Sequence, residues 1–191
     1  MRPETRWTAS AYPLPWVVAG MALAMLLARP FMISPPAAAP GLWLLGLVYV
    51  SIAAATLAVP DPGGGSLVRM SPASVLAIGV GAVVAAGWLS GPPVPIAAGP
   101  TSIVLGSVAA IAEEALFRRL LFGQLARNGA LVAIAGSAIA FALIHLPAYG
   151  WVAFPVDLGA GVLLSWQRYA SGTWAVPAAT HVWANLVAVL R

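Results

Sequence analysis

Residues 130–146 read ALVAIAGSAIAFALIHL. No arginine, lysine or acid interrupts them. A helix of that length lies at the short end of the roughly 17–25 residues needed to cross a hydrocarbon core. The apolar residues are continuous and do not alternate, so the run reads as a membrane helix and not as a barrel strand. Working outward, six further runs have the same character: 14–33, 42–59, 73–89, 103–125, 152–166 and 174–190. The sixth in chain order, 152–166, is the shortest and holds Pro155 and Asp157. Turn-rich breaks separate the early runs: Ser34-Pro35-Pro36, Asp61-Pro62-Gly63-Gly64-Gly65, and Gly91-Pro92-Pro93 with Pro95. The expected fold is an all-α polytopic transmembrane bundle of about seven spans, within a range of six to eight.

Composition leads to the same class. Of 191 residues, 61% are hydrophobic and 7% charged, against about 25% charged in soluble domains. So much apolar surface cannot be hidden in one aqueous core of this size. Net charge is +4, from nine arginines against five acids, with no lysine. The arginines stand singly or in one pair and form no basic run, so nucleic acid is not an expected partner. With no cysteine, a disulfide, a thiolate nucleophile and a Cys-ligated metal are all excluded.

Arginine placement gives an orientation. With the N-terminus inside, Arg2, Arg6, Arg69, Arg118, Arg119, Arg127 and Arg168 fall inside, and only Arg29 and Arg191 fall outside. The uncharged stretches 91–100 and 147–151 read as outside loops. The expected location is an integral membrane protein of a bacterial plasma membrane with a cytoplasmic N-terminus; the lysine-free, Arg/Ala/Gly/Pro-rich composition suggests a GC-rich genome. Arg2 and Arg6 before an apolar run also fit a signal peptide. The run's reach to Ile33, broken only by Arg29, favours an anchor.

Ionisable groups inside a bilayer are costly and mark function by default. Glu4 and Asp61 lie outside the runs and read as solvated. The fourth run carries Glu113-Glu114 and Arg118-Arg119. Glu114 and Arg118 are four apart and can pair on one helix face. Glu113 is rotated about 100° away, which leaves it free to face a cavity. An interfacial helix with a solvated charge cluster is the plainer alternative. The fifth run ends in Phe141 and His145, one turn apart, and the seventh carries His181 and Asn185 on one face. Alone, each is better explained by an interfacial histidine or by helix–helix hydrogen bonding. Together, burying four such groups without mutual pairing would be prohibitive, and a shared polar cavity resolves the cost. A carboxylate beside a neutral imidazole can take a proton from water. A second histidine with an amide offers donors to an oxyanion. No Gly-x-Ser-x-Gly elbow and no His-Glu-x-x-His motif is present.

The combination Glu113-Glu114-x-x-x-Arg118, Phe141-x-x-x-His145 and His181-x-x-x-Asn185 resembles the CAAX-protease and bacteriocin-processing (CPBP, or Abi) family, the type II CAAX prenyl endopeptidases. The order and intervals are similar, and the likeness covers about residues 103–190. Gly159, Gly161 and Gly172-Thr173-Trp174 also resemble the family's segment before its last motif. Arg119 departs from it, since many members have glycine there; this bears on subfamily and local packing. The hydrophobic runs give an N-terminal part, 1–100, of about three spans, and the resemblance implies a catalytic core, 101–191, in the last four helices. It implies an intramembrane endopeptidase acting on a peptide or membrane-protein substrate, with its site open to the cytosolic side. Glu113 and His145 would activate the attacking water, His181 and Asn185 would stabilise the oxyanion, and Glu114 with Arg118 would form a supporting pair. Both a metal-free and a metalloprotease mechanism are compatible with the resemblance. In the latter, Glu113, His145 and His181 could ligate Zn²⁺, leaving Glu114 as base. A non-catalytic scaffold or chaperone of the same fold, or a small proton-coupled transporter, are the competing classes. The transporter predicts an internal repeat, which the sequence lacks.

Overall fold

The computed structural model describes residues 13–32, 39–61, 70–89 and 99–190. Among them there is no strand. Helix α1 covers Leu14–Met32, α2 Ala39–Ala58, α3 Pro72–Leu89 and α4 Pro100–Glu114. A π-helical segment, Ala115–Leu121, continues α4 into α5, Phe122–Leu125, and a closing 3₁₀ turn, Ala126–Asn128. Helix α6 spans Ala130–Ser171 and α7 Ala175–Leu190.

Five of these helical runs are long and apolar enough to cross a membrane, and α7 is a shorter apolar helix. At 1.5 Å per residue, α6 would be about 63 Å long if straight, twice the roughly 30 Å of hydrocarbon it could cross. It is not straight. Pro147 and Pro155 lack the N–H of an i→i−4 bond. Gly150 leaves the helix at φ 72°, ψ −178°, a backbone region open to glycine. Residues 130–149 and 151–171 therefore form two helical arms, and the described residues give seven long helical segments, roughly consistent with about seven spans. The expected outside loop at 147–151 is helical except at Gly150, because a single glycine supplies the turn. The sixth segment extends to Ser171, and the fourth begins at Pro100. The breaks at 62–69 and 91–98, with Arg2, Arg6, Arg69 and Arg191, lie outside the described residues.

The core joins both halves of the chain. Leu26 of α1, Ile52 of α2, Leu116 and Phe117 of the π segment, and Phe141 and Ile144 of α6 form one buried cluster. Large apolar side chains such as Trp43, Leu131 and Val152 are exposed on the outer surface, where a lipid solvent accepts them. The chain is an integral membrane protein. Helix α7 is held to its neighbours by a buried polar knot. Gln167 Nε2 donates to the Val75 carbonyl (3.0 Å) and to Thr180 Oγ1 (2.9 Å). Gly79 leaves the space that Gln167 and Thr180 occupy. Thr180 precedes His181, so this knot also sets the register of the site.

The π segment places two consecutive arginines in the interior. Its i→i+5 bonding, seen in Phe122 N–H donating to the Phe117 carbonyl, widens the helix where function often concentrates. Side chains add bonds to carbonyls of this segment. Ser137 Oγ donates to Phe117 O (2.9 Å) and Arg168 Nε to Arg118 O (3.0 Å). Arg119 turns the other way and donates to the carbonyls of Thr56, Leu57 and Val59. It thus caps the C-terminus of α2, whose last carbonyls lack helical partners. That is its structural reason at a position where glycine would cap nothing. Asp61 is not simply solvated: its carboxylate lies 3.8 Å from Arg168.

Candidate active site

Glu113 and Glu114 end α4 and are both buried. The helical rotation between neighbours sends them to different partners. Glu114 Oε1 accepts from Arg118 Nη1 at 3.0 Å, as its four-residue spacing predicts. The same oxygen lies 2.9 Å from His181 Nδ1 on α7. A carboxylate oxygen accepts, so Nδ1 carries a proton and donates. Arg118 is fully buried. It also donates to the Gly161 carbonyl (3.2 Å), and its guanidinium lies 4.4 Å from the centre of the Phe141 ring. The arginine therefore ties the second arm of α6 to the π segment.

Glu113 is not free. Arg29 of α1, 84 residues away in sequence, donates to Glu113 Oε1 at 2.8 Å. Arg29 is buried. This corrects its reading as an outside topology marker. One cation inside an apolar run votes for an orientation only when it reaches water, and this one reaches a carboxylate. Arg29 also contacts Tyr49 Oη at 3.3 Å and the Ile144 carbonyl at 3.4 Å. The other oxygen of Glu113, Oε2, lies 3.8 Å from His145 Nε2. His145 Nδ1 lies 2.7 Å from the Phe141 carbonyl. A carbonyl only accepts, so Nδ1 holds the proton, and the Nε2 of a neutral ring is the acceptor.

Each of the two adjacent carboxylates thus has one arginine and one histidine of its own. The arginine on each offsets a burial that neither acid could sustain alone. Phe141 sits between the two sets, with its ring centre 4.6 Å from His145 and 5.7 Å from His181. Asn185, one turn beyond His181, donates through Nδ2 to the Gly106 carbonyl of α4 (2.9 Å).

A cavity of about 550 Å³ opens over this arrangement, within the roughly 300–1,000 Å³ of ligand pockets. Arg29, Tyr49, Glu113, His145, His181 and Asn185 line it, while Glu114 and Arg118 stand behind. All six residues singled out in the sequence come together. The sequence reading missed Arg29, Tyr49 and the His181–Glu114 bond. Among the described residues, no group of three His, Asp or Glu side chains lies close enough to hold a metal ion. Glu113 Oε1 is taken by a guanidinium and His181 Nδ1 by Glu114.

No curated protein and no solved structure matches the chain. Residues 95–187 match the family model described as Rce1-like, type II CAAX prenyl endopeptidase Rce1-like. The match holds Glu113, Glu114, Arg118, His145, His181 and Asn185, and it leaves out Arg29 and Tyr49. The segment that carries these six side chains is thus similar to the Rce1-like type II CAAX prenyl endopeptidase family.

Proposed function

We propose that this protein is a glutamate-type intramembrane endopeptidase, hydrolysing a peptide bond of a membrane-associated or lipidated protein or peptide. One observation carries the reading: Glu113 Oε2 faces His145 Nε2 across 3.8 Å at the wall of the cavity. Two acceptors at that separation leave room for a bridging water, and both can take its proton. The water oxygen attacks the scissile carbonyl carbon as its proton passes to Glu113 or His145. The carbonyl oxygen becomes an oxyanion. Asn185 spends one N–H on Gly106 and keeps the second for that oxygen. His181 donates from Nδ1 to Glu114. With a proton also on its other nitrogen, the ring gives a second donor, and Glu114 neutralises its charge. Collapse breaks the C–N bond, and the stored proton goes to the departing amine.

The test is cleavage of a fluorogenic peptide by the purified protein in nanodiscs. Wild type should cleave, Glu113→Ala should not, and a wild type inactive across a broad peptide panel would sink the reading. Zinc chelation should leave the rate of wild type unchanged, because no step needs a metal. Loss of activity on chelation, restored by added zinc, would overturn the metal-free mechanism. Asn185→Ala should keep weak turnover, with kcat lowered about 10²–10³-fold, the usual effect of losing one oxyanion donor. An unchanged kcat would remove Asn185 from the oxyanion site.

A further inference from the structure

We infer that Arg29, contributed by the first helix from outside the family-matched segment, is a positioning residue for Glu113. The inference rests on the proteolytic reading above. A carboxylate on a helix can turn about its terminal torsion, which is broad. Only when the carboxylate plane lies along the line from Arg29 to His145 does it present one oxygen to each. Arg29 removes that freedom. Its Nη1 holds Glu113 Oε1 at 2.8 Å, which directs Oε2 to the histidine at 3.8 Å. Arg29 is itself held. Nη1 reaches Tyr49 Oη at 3.3 Å, and Nη2 reaches the Ile144 carbonyl at 3.4 Å. Ile144 is the residue before His145, so one guanidinium braces the acid and the backbone that carries the base. A planar fork suits this two-sided task, and a lysine ammonium does not replace it. The brace joins α1, α2, α4 and α6 at one point of the cavity wall.

The test is steady-state kinetics of Arg29→Gln, Arg29→Lys and Arg29→Ala in nanodiscs, with the fluorogenic peptide that wild type cleaves. A misplaced base costs about 10²-fold, so Arg29→Gln should lower kcat by that order with KM near wild type. Arg29→Lys should recover part of the loss, and guanidinium at a non-denaturing concentration should raise the rate of Arg29→Ala. In thermal denaturation, the shifts of Arg29→Gln and Glu113→Gln should be non-additive in the double variant, since paired groups couple. Wild-type kcat in Arg29→Gln would overturn the proposal while leaving the proteolytic reading intact. So would a raised KM with kcat unchanged, which marks direct contact with substrate. Additive thermal shifts, or failure of both lysine and guanidinium to restore rate, would overturn it too. A wild type that cleaves no peptide fails at the earlier step and takes the catalytic role of Arg29 with it. The thermal cycle then reports separately whether the ion pair exists.

Discussion

Replacing Glu113 by glutamine should leave a folded protein with almost no peptidase activity. Glutamine keeps the shape of the side chain and one oxygen to accept from Arg29, which now holds Oε1 at 2.8 Å. What it removes is the ability to take a proton from water. A positioned general base contributes typically 10²–10⁴-fold, and the neighbouring Glu114 cannot replace it. Glu114 is adjacent in sequence, but it stands behind the cavity with Arg118 at 3.0 Å and His181 at 2.9 Å on one oxygen. His145 remains, but its Nε2 would then lose the partner that shares the water. The expected result is a fall in kcat of about 10²–10⁴-fold in a protein that still melts cooperatively in detergent, at a lowered temperature because buried Arg29 loses its counter-charge. Full activity in Glu113→Gln would dispose of the water-activation mechanism altogether. A collapsed melting profile would move the residue's weight from chemistry to folding.

That the two glutamates point to different partners was legible because it depends on local spacing. Helical rotation separates Glu113 from Glu114, and the four-residue interval joins Glu114 to Arg118. The same logic placed His181 and Asn185 on one face. The contacts that complete the site span long separations, 84 residues for Arg29 to Glu113 and 67 for His181 to Glu114, and no periodicity encodes them. A signal for Arg29 did exist. It is the one charge within an apolar run of about twenty residues, where a cation needs a partner or an interface. Counting it as an orientation marker assumed the interface. The π segment was not legible either, since it is an exchange of backbone partners within a stretch that looks helical in any reading. It explains why adjacent arginines can both be buried, one on Glu114 and one on the end of α2. The number of helical segments was readable from hydrophobic run length, and the break in α6 only approximately. The uncharged stretch 147–151 marked it, but the turn itself is made at Gly150.

The supporting pair should matter as much for folding as for catalysis. Arg118 is fully buried, and its removal would break three ties at once: to Glu114, to the Gly161 carbonyl and to the face of Phe141. In Arg118→Ala, Glu114 keeps only His181 in a setting without water to solvate its charge. Breaking a buried pair by removing one partner typically costs about 3–5 kcal/mol, because the remaining charge is uncompensated. Arg118→Lys should recover little, since an ammonium cannot serve the carboxylate and the carbonyl with a rigid fork. Activity should fall with stability, because His181 takes its orientation from the same Glu114 oxygen that Arg118 holds. Replacing Glu114 by glutamine in the Arg118→Ala background removes the orphaned charge. That double variant should regain part of the lost stability while staying inactive, which separates the electrostatic cost from the packing cost. Thermal or denaturant unfolding in detergent, beside peptide cleavage, reads both effects. A folded and fully active Arg118→Ala protein would mean that the arginine supports neither acid nor helix. The 3.0 Å contact would then contribute nothing measurable to the site.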